Sequence, residues 1–140
     1  MRDSLVKGLS SFHAALFRAT GGHIGDRLVG NDMLLLTTIG SVTGKSHTVP
    51  LLYLHDDEAL VVVASYGGRP DHPQWYRNVL SNPEVNVRTR DDTFEAVARR
   101  ATPAERTDWW GRVISAYPGY GEYQAKTERE IPLVFLTTVT

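Results

Sequence analysis

Hydrophobic residues along the chain fall into short blocks, separated by polar and glycine-rich breaks. Near the start, Leu5, Leu9, Phe12 and Leu16 recur at helical spacing, with Val6 beside them. This predicts an amphipathic helix over residues 4–18, capped by Asp3. The glycine-rich TGGHIGDRLVG reads as a loop. Residues 1–30 are therefore expected to be an appendage on a main unit at 31–140, within a single domain.

The pattern then becomes strand-like. MLLLTTI (33–39), HTVPLLYL (47–54) and ALVVVAS (59–65) are apolar runs joined by a glycine turn and by the acidic turn Asp56-Asp57-Glu58. They read as a meander of hairpins. Pro50 inside the second run marks an edge or a bulge, a place where another group approaches.

SYGGRPDHPQWYRNVLSNP breaks the pattern. Gly67-Gly68 reads as a flexible loop, Asp71 or His72 as a cap, and Pro73 as the first position of a helix running to Ser81. EVNVRTR (84–90) and TFEAVARRA (93–101) form a further hairpin over Asp91-Asp92. Thr102-Pro103-Ala104-Glu105 is a capping-box signature opening a helix that carries Trp109, Trp110, Val113 and Ile114. AYPGYGEYQAKTERE is a broken helical stretch, and PLVFLTT (132–138) is a final strand. About six mostly antiparallel strands with inserted helices predict an α+β, mainly β, barrel or sandwich, not a doubly wound sheet.

Composition removes several classes. A net charge of −1 leaves no basic field for nucleic acid. The absence of cysteine excludes a disulfide framework, thiolate zinc sites and a thiol nucleophile. There is no apolar run of roughly 18 residues and no signal-peptide core, which predicts a cytoplasmic protein. The first helix carries few cations, Lys7 and Arg18. It is expected to support at most a weak association with the inner face of the membrane. The five histidines (13, 23, 47, 55, 72) lack metal-ligand spacing, so no metal site is expected.

GSVTGKSHTVP (40–50) resembles a P-loop but is one residue short between Gly40 and Gly44. A β-branched, proline-containing stretch follows it, so the amides of a helix N-terminus are lacking. Nucleoside triphosphatase chemistry is excluded. Two readings stay open. One is a hairpin loop whose glycines supply positive φ. The other is an anion-receiving loop built from amides, the hydroxyls of Ser41, Thr43 and Ser46, and the cations Lys45 and His47.

Tyr117, Tyr120 and Tyr123 are spaced three apart, which on a helix gives one aromatic face. That face is either half-buried packing or the wall of a flat-ligand site, and Pro118, Gly119 and Gly121 weaken the purely helical reading. Trp75 alone reads first as core filling. No catalytic dyad is legible, which points to chemistry carried by a bound cofactor.

Three blocks taken together carry a resemblance: LLLTTIG-x-x-TGKxHTVPLLYL, VVVASYGGRPDHPQWYRNVLSNPEVNV and AYPGYGEYQAKTEREIPLVFL. In order and with matching gaps over 34–136, the chain resembles the deazaflavin-dependent nitroreductase family of actinobacteria, reductases that use coenzyme F420. The resemblance implies a split β-barrel of the flavin-mononucleotide-binding kind. It implies hydride transfer from reduced F420 to a small electron acceptor: a quinone, a nitroaromatic or an activated enone. Carried onto this sequence, the phosphate-facing loop falls on Gly40, Ser41, Val42, Thr43, Gly44, Lys45 and His47. The ring-side wall falls on Pro50, Val63, Ala64, Ser65 and Gly67. The following helix offers Pro73, Gln74, Trp75 and Asn78. Tyr117, Tyr120, Tyr123 and Ser65 fall on the substrate side, where one hydroxyl would hydrogen-bond the acceptor as hydride arrives.

The sequence departs from the family in that loop. Ser41 and Val42 stand where basic residues are usual, His47 where arginine is usual, and Tyr66 where lysine or a polar residue is usual. The expectation is weaker F420 binding, more sensitive to salt and pH, since histidine helps hold an anion only when protonated. A flavin-mononucleotide reductase of the same fold, and a non-catalytic ligand-binding protein, are the alternatives. Monomer and homodimer both remain open.

Overall fold

The computed structural model describes residues 33–56, 59–90 and 92–139. The expected helix at 4–18, the glycine-rich loop after it and the boundary at residue 30 lie outside the described residues.

Among the described residues, six strands close into one barrel: β1 (Met33–Ile39), β2 (Ser46–His55), β3 (Ala59–Val63), β4 (Glu84–Arg88), β5 (Thr93–Arg100) and β6 (Leu133–Thr138). Their order around the barrel is β1-β2-β3-β6-β5-β4, and every pairing is antiparallel. The helices are α1 (Gln74–Ser81), α2 (Pro103–Ala116) and α3 (Gly119–Ala125), with a short 3-10 turn at Tyr66–Gly68. This is the mainly β split barrel expected from the sequence.

The continuous apolar runs of β3 and β6 have a physical origin. Val62, Val134 and Leu136 face a core inside the barrel with Leu34, Leu36 and Val87. Their neighbours Val61, Val63, Leu133 and Phe135 face a second core outside it, under Trp109 and Val113 of α2. Strands buried on both faces lose the apolar–polar alternation. Trp75, Tyr76 and Val79 bring α1 onto the inner core, so Trp75 is both core and, as shown below, groove.

The capping box forms. The Thr102 hydroxyl accepts from the Glu105 amide at 3.2 Å, and Glu105 Oε1 accepts from the Thr102 amide at 2.9 Å. α1 differs from expectation by one position. Pro73 is its N-cap in extended conformation, Gln74 is its first residue, and neither Asp71 nor His72 caps it. β3 ends at Val63 rather than at Ser65, because three successive left-handed residues turn the chain: Tyr66 (φ 50), Gly67 (φ 64) and Gly68 (φ 78). α2 stops at Ala116. Tyr117 is its C-cap, and Tyr120 and Tyr123 belong to α3, so the three tyrosines do not share one helix.

β2 outruns its second neighbour. It pairs with β1 over Ser46 to Leu52, but with β3 only at Tyr53, Leu54 and His55. Its first seven residues therefore have a strand on one side only, and Pro50 sits in that half. The edge reading of Pro50 is what the topology gives.

Candidate functional site

A groove of about 930 Å³ runs along that half of β2. It touches every residue from Ser46 to Leu52, both pleat parities, which a groove can do only by lying along the strand's edge. The size suits a drug-sized or larger organic ligand. Val63, Ser65, Tyr66, Gly67 and Arg69 form one wall, and Pro73, Gln74, Trp75 and Asn78 close the end toward α1. Tyr117, Tyr120 and Tyr123 form the opposite side. Most of the predicted ring-side and substrate-side residues thus meet around one space. Ala64 does not: it is fully buried in the inner core, because its side chain takes the barrel-facing side as the chain leaves β3.

The loop at 40–45 sits beside the groove rather than in its lining. Gly40 N donates to Lys45 O at 2.7 Å, and Gly44 N donates to Gly40 O at 3.0 Å. Lys45 N donates to Thr43 Oγ1 at 3.2 Å, and Ser41 N donates to Asn78 Oδ1 at 3.0 Å. Four of the amides expected to receive an anion are therefore engaged within the protein. What the loop offers outward is side chains: Lys45, Thr43, and His47 at the groove's edge. Val42, 90% exposed, supplies no charge there. A Cβ at Gly40 would lie 2.7 Å from Thr43 Oγ1 and 3.0 Å from His47 Nε2, so a larger residue there would displace these two side chains.

Asn78 fixes this loop to α1. It is buried, donates from Nδ2 to Thr38 Oγ1 at 3.0 Å, and accepts from both the Ser41 amide and Gln74 Nε2 (2.9 Å). Gln74 also reaches Ser41 Oγ at 3.3 Å.

The turn bearing Ser65 is held from the other end of the chain. Arg129 donates from Nη2 to Ser65 O at 2.6 Å, from Nη1 to Ala64 O at 3.2 Å, and from Nε to Arg69 O at 2.8 Å. Its Nη1 also lies 3.1 Å from His72 Nδ1. Arg129 lies in the block AYPGYGEYQAKTEREIPLVFL, where the sequence shows no role for it, because its acceptors are main-chain carbonyls some 60 residues away, which no side-chain pattern reveals. Gly68 is pressed against α3: a Cβ there would lie 2.5 Å from Tyr123 O.

The three tyrosines stack edge to face, Tyr117 on Tyr120 at 5.8 Å and Tyr120 on Tyr123 at 6.0 Å. Tyr117 and Tyr120 are buried and Tyr123 is half-buried. Tyr117 donates its hydroxyl to Tyr53 O at 2.9 Å, which fixes the ring at the junction where β2 gains its second neighbour. Burial, reinforced by Tyr117 and Tyr123, pushes the Tyr120 phenol well above the usual range. It is a neutral hydrogen-bond donor, not an acid that ionises near pH 7. Burial, then the nearby Arg129, Arg100 and Arg77, lowers the His72 pKa, with Asp71 opposing.

Of the groove's lining, the side chains able to carry positive charge are His47 and Arg69, the latter with its guanidinium 4.9 Å from the centre of the Tyr66 ring. Among the described residues no group of three or more acidic, histidine or cysteine side chains is placed to hold a metal. No described helix is long and apolar enough to cross a membrane.

Comparison with known proteins gives consistent results. A family model described as F420H(2)-dependent quinone reductase matches residues 10–138. A Mycobacterium tuberculosis protein named as an F420H(2)-dependent quinone reductase is 37% identical over 133 residues, covering 92% of this chain and 89% of the relative. A solved F420-H2 dependent reductase (FDR-A) superposes with a TM-score of 0.68 at 42% identity, covering 74% of this chain and 92% of that one. A second structure, described as a domain-swapped dimer, has the same score and identity, covering 74% of this chain and 78% of that one.

Proposed function

The chain belongs to the F420H(2)-dependent quinone reductase family, and from that premise we propose how its groove works. The protein is an oxidoreductase that uses reduced F420 to reduce quinones. When bound, F420H2 supplies the hydride that, together with a proton, turns a quinone into its hydroquinone. The observation that carries the reading is the groove along the free edge of β2, facing a tyrosine triad across a space that fits a flat ring system.

Fit at the ring end is good. Apolar Pro50, Val63 and Trp75 meet main-chain groups of β2, which supply directional hydrogen bonds without a charged side chain. The anionic end is poorer in charge. Lys45, His47 and the Thr43 hydroxyl beside the groove, with Arg69 in its wall, are the groups available to hold a phosphate, while Ser41 and Val42 add none. Trp75 and Pro73 exclude water from the ring's flank, and Gln74 and Asn78 hold the loop in register with it.

On the acceptor side Tyr117 has its hydroxyl engaged and acts through its ring. Ser65, Tyr120 and Tyr123 remain as donors to the quinone oxygen on which negative charge develops. Tyr120 stays protonated through the working range and donates without ionising.

The test is a fluorescence titration with F420, run beside flavin mononucleotide, followed by F420H2 oxidation with menadione. F420 binding with menadione-dependent oxidation is expected. Binding of flavin mononucleotide in preference to F420, or F420 binding without oxidation, would overturn the reading. The homodimer is a further reading, supported by the domain-swapped relative. Light scattering that gives a monomer at assay concentration would remove it.

A further inference from the structure

We propose that Arg129 is a positioning residue for this reaction, holding the turn at 64–69 by its carbonyls, and that a neutral His72 is what allows the grip. The proposal rests on the functional reading above. Its chemistry follows from the donor count. A guanidinium carries only donors, so the ring nitrogen 3.1 Å from Arg129 Nη1 must present its lone pair. His72 is then neutral, with its proton on Nε2 and Nδ1 accepting. The same Nη1 donates to Ala64 O, and Nη2 donates to Ser65 O.

Protonating His72 places an N–H where the lone pair was, pointing at a cation. The contact turns repulsive and drives the guanidinium off the two carbonyls. Those carbonyls belong to the residues that carry the Ser65 hydroxyl into the groove. The surroundings reinforce this. Arg129, Arg100 and Arg77 face His72 against the single carboxylate of Asp71, and the Tyr76 ring packs 4.8 Å from its own. Burial acts in the same direction and first.

Arg129 reaches the acceptor side, whereas the phosphate loop is held separately by Asn78. Loss of the grip should therefore lower kcat by a larger factor than it weakens F420 binding, since Arg69 is the one phosphate-side group carried on this turn. A displacement of about 1 Å at a reacting position costs up to ~100-fold in rate.

The experiment compares wild type, H72N and R129K. F420H2 oxidation by menadione is followed between about pH 5 and 8, with F420 affinity measured at each pH, and the imidazole of the apoprotein is titrated by nitrogen NMR. In wild type, kcat should fall on the acid side through one ionisation below histidine's usual range, matching the NMR midpoint, and NMR should show the Nε2–H tautomer. H72N supplies an amide oxygen that cannot be protonated, so that acid limb should vanish. R129K keeps the charge but not the multiple bonds. It should lower kcat on the order of tenfold or more at all pH values, a larger factor than the accompanying loss of F420 affinity. An Nδ1–H tautomer, or an acid limb that survives in H72N with its midpoint unmoved, overturns the proposal. If wild type shows no F420H2 oxidation the functional reading fails, and the tautomer and midpoint still decide whether Arg129 and His72 are coupled.

Discussion

Gly68 and Gly67 differ in one respect that a pair of alanine substitutions can isolate. Both are left-handed, at φ 78 and 64, so Gly→Ala at either costs about 1 kcal/mol for the backbone conformation alone. At Gly67 the added methyl enters open space. At Gly68 it lies 2.5 Å from Tyr123 O and 3.0 Å from Tyr123 Cα, contacts that only a shift of α3 or of the turn can relieve. Overpacking of this kind adds about 1–3 kcal/mol. Gly67→Ala should therefore cost about 1 kcal/mol, and Gly68→Ala about 2–4, or a fall in Tm of roughly 5–15 °C. The shift would be taken up at Tyr123, so Gly68→Ala should also lower menadione reduction by on the order of ten- to a hundredfold, whereas the Gly67→Ala methyl points into the groove and serves as the comparison for stability alone. Chemical denaturation of the two variants side by side makes the test. Equal losses in both would mean that Tyr123 does not lock the turn, and would refute the reasoning.

Four further outcomes are expected. Asn78→Ala leaves Thr38 and the Ser41 amide without partners in a buried setting, a cost of about 2–3 kcal/mol by denaturation, and it should weaken F420 binding because the loop is released. Val42→Lys returns a cation to an open position beside the phosphate end; it should tighten F420 by about fivefold at low salt, with the gain shrinking as salt is added. Tyr120 favours the neutral phenol in the fold, so above about pH 10 the unfolded chain loses its proton first and stability falls as pH rises; Tyr120→Phe should flatten that fall in an alkaline denaturation series. Glu105, held down to about 2 by Arg99 and the Thr102 amide, contributes stability that is present above its usual range and lost as pH drops toward 2, and Glu105→Gln should remove this acid-side slope.

The strands and the capping box were legible because their signals are local. Thr102 and Glu105 are three residues apart, and Pro50 announced the unpaired half of β2 by its missing N–H. The tyrosine spacing brings the three rings to one groove, but not through a shared helix face. Pro118 breaks the helix, and it is the edge-to-face stacking across that break which aligns the rings. Less visible were features made by the main chain. The amides at 40–45 close on the loop itself and on Asn78, a partner 37 residues from Ser41. The turn at 66–68 puts a non-glycine residue, Tyr66, in a left-handed conformation that propensity argues against. Arg129 looked like an ordinary charged residue because what it binds has no sequence identity.

The unpaired half of β2 also divides the labour of the groove. Its contribution along seven residues includes backbone, and backbone hydrogen-bonding groups survive every substitution except proline. On the proposed reading, side chains on the outer face of that strand can drift without dismantling the rail along which the cofactor would lie. The opposing surface is three phenol rings at the junction of α2 and α3, each replaceable one at a time. Such a groove lets selection exchange acceptors on one bank while the other stays constant, so descendants of one barrel can diverge in what they reduce while keeping what they reduce it with.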